Sequence, residues 1–274
     1  MNYNYVNAPL PFQGQKRNFL KAFKEVLDNT PSNAIYIDLF GGSGLLSHTV
    51  KIRHPDATVI YNDYDNYSKR LANIDSTNIL LTDIKEIVKN SEPEIKLTKE
   101  YKQAILDRIS KENGYVDFIT VSSSLLFSMN YANSFEELQK QTFYNNVKKK
   151  TYNSEGYLKD VTVVSSDYMD LFECYKDKEN VIFIIDPPYL STDTSTYKNT
   201  DYWKLSDYLN ILKTLEDTNY FYFTSEKSQL LELTSWLDEN QYAKNPFQGA
   251  IVNEIQSSVS KGKFYKDIMI YKIV

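Results

Sequence analysis

The sequence has very few of the residues that form disulfides and structural metal sites. One cysteine, Cys174, and two histidines, His48 and His54, occur among the 274 residues. A single cysteine excludes an intrachain disulfide, and a reducing cytoplasm is the expected compartment. One cysteine and two histidines are also too few ligands for a typical structural zinc site. Cys174 lacks the proline–cysteine context of a nucleophile, so we expect it to be a packing residue.

Long apolar runs and an excess of positive charge are also missing. The longest apolar runs, such as Val181–Ile185, are far too short to span a bilayer. The first five residues have neither the basic cluster nor the apolar core of a signal peptide. A net charge of −5 argues against a protein that coats nucleic acid non-specifically, although it leaves room for a local basic patch.

The sequence does contain alternating strand-like and helix-like segments. Strands are predicted at 34–40, 57–61, 161–165, 181–185, 220–224, 250–255 and 267–273. Helices are predicted at 17–29, from Leu45 onward, and at 67–74, 84–89, 202–215 and 228–240. The nearly continuous apolar character of 161–165 and 181–185 indicates strands covered on both faces. This alternation predicts an α/β, doubly wound core.

One interval is too long for such a core. The second strand ends near Asp63 and the next core strand begins near Val161, which leaves roughly 70 residues more than a normal crossover. The interval contains a charged helix at about 98–112, an apolar stretch at 116–127 and a lysine-rich end. We therefore predict an inserted, mainly helical subdomain.

A glycine-rich loop follows the first strand. It reads Asp38-Leu39-Phe40-Gly41-Gly42-Ser43-Gly44, and Asp63 ends the next strand. Glycines there allow a ligand to approach the main chain, and such an acidic residue can accept hydrogen bonds from ribose hydroxyls. The loop lacks the third glycine of a dinucleotide fingerprint and the Gly-Lys-Ser/Thr of a phosphate-binding loop. By itself it does not name the ligand, and an ordinary glycine-rich turn stays open.

The most specific motif is Asp186-Pro187-Pro188-Tyr189, directly after the strand at 181–185. Two successive prolines make a rigid turn that has acceptors but no backbone donors at its centre. The amino group of a nucleobase is a poor nucleophile, and the Asp186 carboxylate and Pro187 carbonyl could hold both of its N–H groups. Tyr189 could stack on the base. The alternative is a plain strand-terminating turn.

These motifs and their order resemble those of the Dam-type DNA adenine methyltransferases over nearly the whole chain. Residues 186–189 match the family's catalytic tetrapeptide, and residues 38–44 match its cofactor loop. The family's N-terminal signature is approximated by Phe12-Gln13-Gly14-Gln15-Lys16. Gln15 departs from that pattern, and so does Glu226, which stands where an asparagine is common.

The resemblance implies a set of site residues. Those assigned to S-adenosylmethionine are Phe12, Lys16, Asp38, Phe40, Gly41, Gly42, Gly44, Asp63, Asp167, Tyr168 and Asp186. Asp186, Pro187, Pro188 and Tyr189 are implied to be catalytic. Among these, Lys16 would pair with the methionine carboxylate of the cofactor, and Asp167 would accept from its adenine amino group. Lys148, Lys149, Lys150 and Tyr152 are expected to bind DNA, although a solvated polar loop is the alternative for this segment.

The resemblance also implies a fold and a division of the chain. We expect a Rossmann-like methyltransferase sheet in which residues 1–84 and 161–274 form the catalytic domain. Residues 85–160 are then the inserted target-recognition subdomain. The expected protein is a monomer or weak dimer in the cytoplasm of a bacterium or phage-infected host.

The function implied is site-specific, S-adenosylmethionine-dependent methylation of the adenine amino group in double-stranded DNA. It would proceed by base flipping and without a metal, in a protein that is not bound to a membrane. A restriction-modification system is one expected setting, and an enzyme that acts without a restriction partner or comes from a phage stays open. Methylation of the cytosine amino group or of adenine in RNA uses the same amine chemistry and stays open. A catalytically silent DNA-binding module with this fold is a further alternative, and a nicotinamide oxidoreductase is a more distant one.

Overall fold

The computed structural model describes residues 4–127, 130–148, 150–189, 203–260 and 263–273, with side chains omitted at 258–260 and 263–264. The chain divides into two compact units. The sheet unit comprises Met1–Val6, Lys16–Asp65 and Leu158–Val274. The helical unit comprises Asn7–Gln15 and Asn66–Tyr157. The predicted assignment of residues 85–160 to target recognition concerns function and stays a prediction.

The helices are short. In chain order they are α1 Leu20–Leu27, α2 Leu45–Arg53, α3 Tyr67–Ala72, α4 Ile74–Ile87, α5 Lys99–Ile109, α6 Phe118–Ser123, α7 Phe135–Gln139, α8 Tyr168–Tyr175, α9 Leu205–Leu212 and α10 Leu230–Glu239. Single 3₁₀ turns lie at Arg17–Phe19, before α1, and at Lys213–Leu215, after α9. Helices α3 to α7 belong to the helical unit and the others to the sheet unit.

The described strands of the sheet unit form one sheet. They are β1 Ile35–Asp38, β2 Thr58–Asn62, β3 Thr162–Val164, β4 Val181–Ile185, β5 Asn219–Ser225, β6 Ile251–Ser260 and β7 Lys263–Lys272. Their order is β3-β2-β1-β4-β5-β7-β6. Strands β1 to β5 pair in parallel, whereas β7 is antiparallel to both β5 and β6. The strand order reverses between β1 and β4, which is the topology of a Rossmann-like fold. The predicted α/β core is confirmed.

Side-chain alternation along β5 shows how the two faces of the sheet are covered. Tyr220 and Tyr222 pack in the core cluster that also contains residues of α8, α9 and α10. Phe221 and Phe223 point to the opposite face, because successive residues of a strand alternate. There their rings contact aromatic rings of the N-terminal helical segment, with Phe23 lying 4.8 Å from Phe221 between centroids. The α1 segment and the α8–α10 group therefore cover opposite faces.

Several boundaries and burial patterns differ from the sequence-based prediction. All five residues of β4 are buried, as predicted, but β3 exposes Thr162 and Val163. Thr162 and Val163 point to opposite faces, because successive residues of a strand alternate, so the prediction that both faces of β3 are covered was wrong. Strand β3 is an edge strand of the described sheet. Cys174 is exposed on α8 and is not a packing residue. The helix predicted at 84–89 is the end of the longer α4.

The helical unit has its own core and a buried ion pair. Residues from α4 to α7 form one apolar cluster, which includes Leu80, Ile105 and Val121. Arg70 Nε lies 3.0 Å from Asp117 Oδ1, and both side chains are almost fully buried. The same guanidinium donates to the Pro11 carbonyl at 2.8 Å. The segment Asn7–Gln15 is thereby fixed to the body of this unit.

Two structural findings bear on membranes and metals. Within the described ranges, no helix has both the length and the apolar character needed to cross a membrane. Among those same residues, no three histidine, cysteine, aspartate or glutamate side chains come together in a group able to hold a metal ion.

Candidate active site

Acidic residues follow three neighbouring parallel strands at the same edge of the sheet. Asp38 ends β1, Asp63 comes directly after β2, and Asp186 comes directly after β4. Strand β1 lies between β2 and β4. Ligands of open α/β sheets bind at this carboxyl edge, where the strand order reverses. The topology therefore brings together residues that are up to 148 positions apart, from Asp38 to Asp186.

The glycine loop is held tightly against β2. A Cβ atom added at Gly41 would lie 2.1 Å from Cε2 of the Tyr61 ring, so no side chain fits there. Gly42 and Gly44 have φ values of 51° and 72°, in the left-handed region that favours glycine. The Tyr61 hydroxyl lies 2.7 Å from the Gly42 carbonyl and 3.0 Å from Asp63 Oδ1. Tyr61, which sequence reasoning missed, thus links the loop to Asp63.

Asp38 is buried with one oxygen left for a ligand. The Ser47 hydroxyl donates to Asp38 Oδ2 at 2.6 Å. Oδ1 is also buried and has no partner within hydrogen-bond distance and angle among the described residues, although the Phe40 backbone amide lies near enough to the carboxylate to lower its pKa. Burial raises the pKa of Asp38 to about 7, against the opposing effect of the Ser47 hydrogen bond. A buried oxygen without a donor is costly, which favours a ligand that brings one.

Asp186 forms an ion pair with Lys16. The Lys16 Nζ lies 2.6 Å from Asp186 Oδ2, and the two side chains are only 10% and 17% exposed. Asp186 Oδ1 is buried and has no hydrogen-bond partner among the described residues. Burial raises the pKa of Asp186, and the Lys16 ammonium acts in the opposite direction. The lysine expected to bind the methionine carboxylate is here paired with the expected catalytic carboxylate.

The double-proline turn continues β4 without a break. Pro187 is buried, and Pro188 and Tyr189 are half-buried. The Lys16 Nζ lies 5.3 Å from the centroid of the Tyr189 ring. Residues 190–202, which follow the turn, are outside the described residues. The Lys16 ammonium therefore lies near both the carboxylate and the aromatic ring of this turn.

An aromatic cluster lies beside the glycine loop. The Phe40 ring centroid is 4.9 Å from that of Tyr168 and 5.6 Å from that of Trp203. Tyr168 and Trp203 stack at 5.6 Å. All three are half-buried, and burial raises the pKa of Tyr168 to about 12. The exposed Asp167 accepts a hydrogen bond from the Met169 amide at 2.8 Å and so begins α8. Trp203 was not predicted as a site residue.

The remaining predicted site residues belong to the helical unit. The Phe12 ring meets Tyr67 edge-on, with centroids 5.6 Å apart. Lys148 Nζ lies 5.4 Å from the Tyr152 ring centroid. The main chain of Tyr152 is fixed by two hydrogen bonds to the Asn78 side chain, each 2.9 Å long. The exposed residues expected to bind DNA include Lys148 and Lys150, whereas Lys149 lies outside the described residues.

Comparison with known proteins gives a consistent result. The family model described as D12 class N6 adenine-specific DNA methyltransferase matches residues 12–260. A Haemophilus influenzae protein that carries a provisional name as a methyltransferase is 38% identical over 275 residues, covering 98% of this chain and 93% of that protein. Among solved structures, a precorrin-6y C5,15-methyltransferase from Geobacter metallireducens overlaps 99% of this chain and 100% of its own, with a TM-score of 0.40 and 9% identity. A TM-score this low adds nothing to the topology described above.

Proposed function

We propose, from the premise that this chain belongs to the D12 class N6 adenine-specific DNA methyltransferase family, that its methyl donor is S-adenosylmethionine and that Asp186 binds the adenine amine. Membership makes the protein an adenine-specific DNA methyltransferase, with DNA as its substrate and a methyl donor as its second reactant. The identity of the donor and the roles of individual residues are our proposal. The observation that carries it is the buried Oδ1 of Asp186 directly after β4, which has no hydrogen-bond partner among the described residues.

The residues around the glycine loop fit S-adenosylmethionine. Asp38 Oδ1 is a buried acceptor that the amino group of a methionine moiety can satisfy. At Gly41 the Tyr61 ring fills the space of a side chain, so the loop packs closely on β2, and Asp63 beside it offers a carboxylate for ribose hydroxyls. Half-buried Phe40 and Tyr168 offer aromatic surface for an adenine ring. When bound, the cofactor supplies an electrophilic methyl group on a positively charged sulfur.

The double-proline turn supplies what an adenine amine needs. The nitrogen lone pair of that amine is delocalised into the ring, and acceptors on both N–H groups favour the geometry in which it becomes available. Asp186 Oδ1 accepts one N–H and the Pro187 carbonyl accepts the other. Neither proline has an N–H group that could compete as a donor. The half-buried Tyr189 stacks on the base after it leaves the double helix, a step that costs a few kcal/mol.

We propose that the Lys16 ammonium can pair with either of two carboxylates. In the structure its ammonium is 2.6 Å from Asp186 Oδ2. A bound methionine carboxylate is the second acceptor that we propose for it. Movement of Lys16 toward the cofactor weakens its hold on Asp186 and strengthens that carboxylate as an acceptor for the amine. The order in which cofactor and DNA bind would then affect the reactivity of Asp186.

The segment 85–160, most of which belongs to the helical unit, is our candidate for target recognition. It contains the lysine-rich stretch in which Lys148 and Lys150 are exposed. Lysines contact phosphates, and together with Lys149 and Tyr152 these residues are proposed to contact DNA. The catalytic domain is proposed to consist of residues 1–84 and 161–274, with residues 85–160 reading the target.

The experiment compares Asp186→Ala with the control Asp170→Asn, which alters an exposed carboxylate in the first turn of α8. Each purified protein is incubated with DNA and S-adenosylmethionine, and the nucleosides are identified by mass spectrometry. Wild type and the control should form N6-methyladenine, whereas Asp186→Ala should form none while still binding the cofactor in calorimetry. Full activity of Asp186→Ala would eliminate the proposed site. N4-methylcytosine, or methylation of RNA alone, would identify a different substrate.

A further inference from the structure

The end of β2 is a junction of several loops at the candidate active site. The Asn62 side-chain amide donates to the Leu39 carbonyl and to the Ser166 carbonyl, both at 3.0 Å, and its oxygen accepts from the Ser166 amide at 3.0 Å. The Asp63 amide donates to the Val164 carbonyl at 2.7 Å. These bonds fix the main chain that carries Asp63, but they do not themselves orient its carboxylate.

Tyr61 makes a direct contact that orients this carboxylate. Its hydroxyl lies 3.0 Å from Asp63 Oδ1 and 2.7 Å from the Gly42 carbonyl. Tyr61 is 0% exposed and Asp63 is 4% exposed, so the bond lies in the protein interior, where hydrogen bonds are stronger than in water. A hydrogen bond to a carboxylate is also stronger than one between neutral groups. The rotation of the Asp63 side chain is therefore restricted by the Tyr61 hydroxyl.

The position of the hydroxyl is set by packing of the Tyr61 ring against the glycine loop. A Cβ atom added at Gly41 would lie 2.1 Å from Cε2 of this ring, and one added at Gly44 would lie 3.6 Å from the same atom. A phenol has one hydrogen to donate, and here the Gly42 carbonyl and Asp63 Oδ1 share it. A ribose hydroxyl that donates to Asp63 brings a further hydrogen to this group of acceptors.

We propose that Tyr61 is a positioning residue for the methyl donor: its hydroxyl holds the Asp63 carboxylate and the glycine loop in the arrangement that selects a ligand with ribose hydroxyls. This inference rests on the proposed function, in which Asp63 binds the ribose of S-adenosylmethionine. The ribose hydroxyls take no part in methyl transfer itself. Loss of the Tyr61 hydroxyl should therefore weaken cofactor binding and leave the rate of transfer at saturation unchanged.

The test compares Tyr61→Phe with the control Tyr36→Phe. Phenylalanine keeps the ring that packs against Gly41 and removes only the hydroxyl. Tyr36 is a fully buried tyrosine of the neighbouring strand β1, and its hydroxyl lies 2.6 Å from the Thr30 hydroxyl, so the control also removes a buried, hydrogen-bonded hydroxyl. Calorimetry measures the binding of S-adenosylhomocysteine and of its analogue without the two ribose hydroxyls. The ratio of the two dissociation constants is the ribose preference of each protein.

The expected results separate a positioning role from a purely structural one. Wild type and Tyr36→Phe should show a ribose preference of roughly tenfold or more, and Tyr61→Phe should lower it roughly threefold to fivefold. The KM for S-adenosylmethionine should rise by a similar factor in Tyr61→Phe, with kcat unchanged. A purely structural role predicts equal weakening of both ligands. An unchanged ribose preference in Tyr61→Phe, or a loss confined to kcat, overturns the proposal.

The variant Asp63→Asn separates this inference from the proposed function. If Asp63→Asn loses the ribose preference while Tyr61→Phe keeps it, only this inference fails. If wild type binds neither ligand, or if Asp63→Asn keeps the full preference, the proposed cofactor site fails and this inference fails with it. The double variant Tyr61→Phe/Asp63→Asn should lose no more preference than Asp63→Asn alone, because the hydroxyl acts through Asp63. Additive losses in the double variant would also overturn the proposal.

Discussion

Replacement of Lys16 by methionine isolates the ion pair at the centre of the site. The side chains of Lys16 and Asp186 are 10% and 17% exposed, so the variant leaves an almost buried carboxylate without its cation. Removal of one partner of a buried pair costs about 3 kcal/mol of unfolding free energy at neutral pH. The double variant Lys16→Met/Asp186→Asn removes both charges and should recover most of that loss. Lys16→Arg is the control that keeps the charge.

The loss should depend on pH in a defined direction. Burial raises the pKa of Asp186 above its unfolded value, and Lys16 opposes this rise, so the pKa rises further in Lys16→Met. A group whose pKa is raised on folding stabilises the native state below its unfolded pKa, and that contribution is lost as the pH rises through the folded pKa. Urea unfolding should therefore show the full deficit near neutrality and a smaller one in mild acid. An equal deficit at both pH values, or one below about 0.5 kcal/mol, would refute this reasoning.

Three further predictions concern the loop, the helical unit and DNA. Gly41→Ala should lower the free energy of unfolding by about 2 kcal/mol and weaken cofactor binding in calorimetry, because the added Cβ would overlap the Tyr61 ring. The control is Gly249→Ala, where φ is 79° and the added Cβ would meet no atom, so cofactor binding should stay intact. Arg70→Met should cost about 3 kcal/mol in thermal unfolding, since its aspartate partner is buried, and a loss under 1 kcal/mol would contradict this. Lys148→Ala should reduce the salt dependence of DNA binding by about one phosphate contact, and an unchanged slope would remove this lysine from the interface.

The local motifs could be predicted from the sequence because the residues that form each of them are adjacent in the chain. Strand β4 was predicted with its exact ends, since five successive apolar residues are followed by Asp186 and two prolines. The glycine loop was recognised for the same reason. The edge position of β3 could not be predicted, because an apolar run does not show that a neighbouring strand is missing on one side. The exposure of Cys174 depends on which face of α8 packs against the sheet. The sequence pattern did not indicate α8, so this could not be predicted.

The tertiary part of the site was beyond sequence reasoning. The contact between Lys16 and Asp186 joins residues 170 positions apart. The clash that fixes Gly41 as glycine comes from Tyr61, which in the sequence is one more aromatic residue of a strand. Asp267 directly precedes the apolar run 268–270 of β7, and the sequence alone does not show that its side chain is buried. Its hydrogen-bond partner Ser257 becomes apparent only once the hairpin register is known.

The central claim is that Asp186 Oδ1 holds the amine that receives the methyl group. Single-turnover transfer by Asp186→Asn, with DNA and S-adenosylmethionine both saturating, tests it most directly because binding no longer limits the rate. We predict a rate at least roughly a hundredfold below wild type, as expected when a preorganised hydrogen-bonding group of the transition state is lost. A rate within about threefold of wild type would contradict the claim.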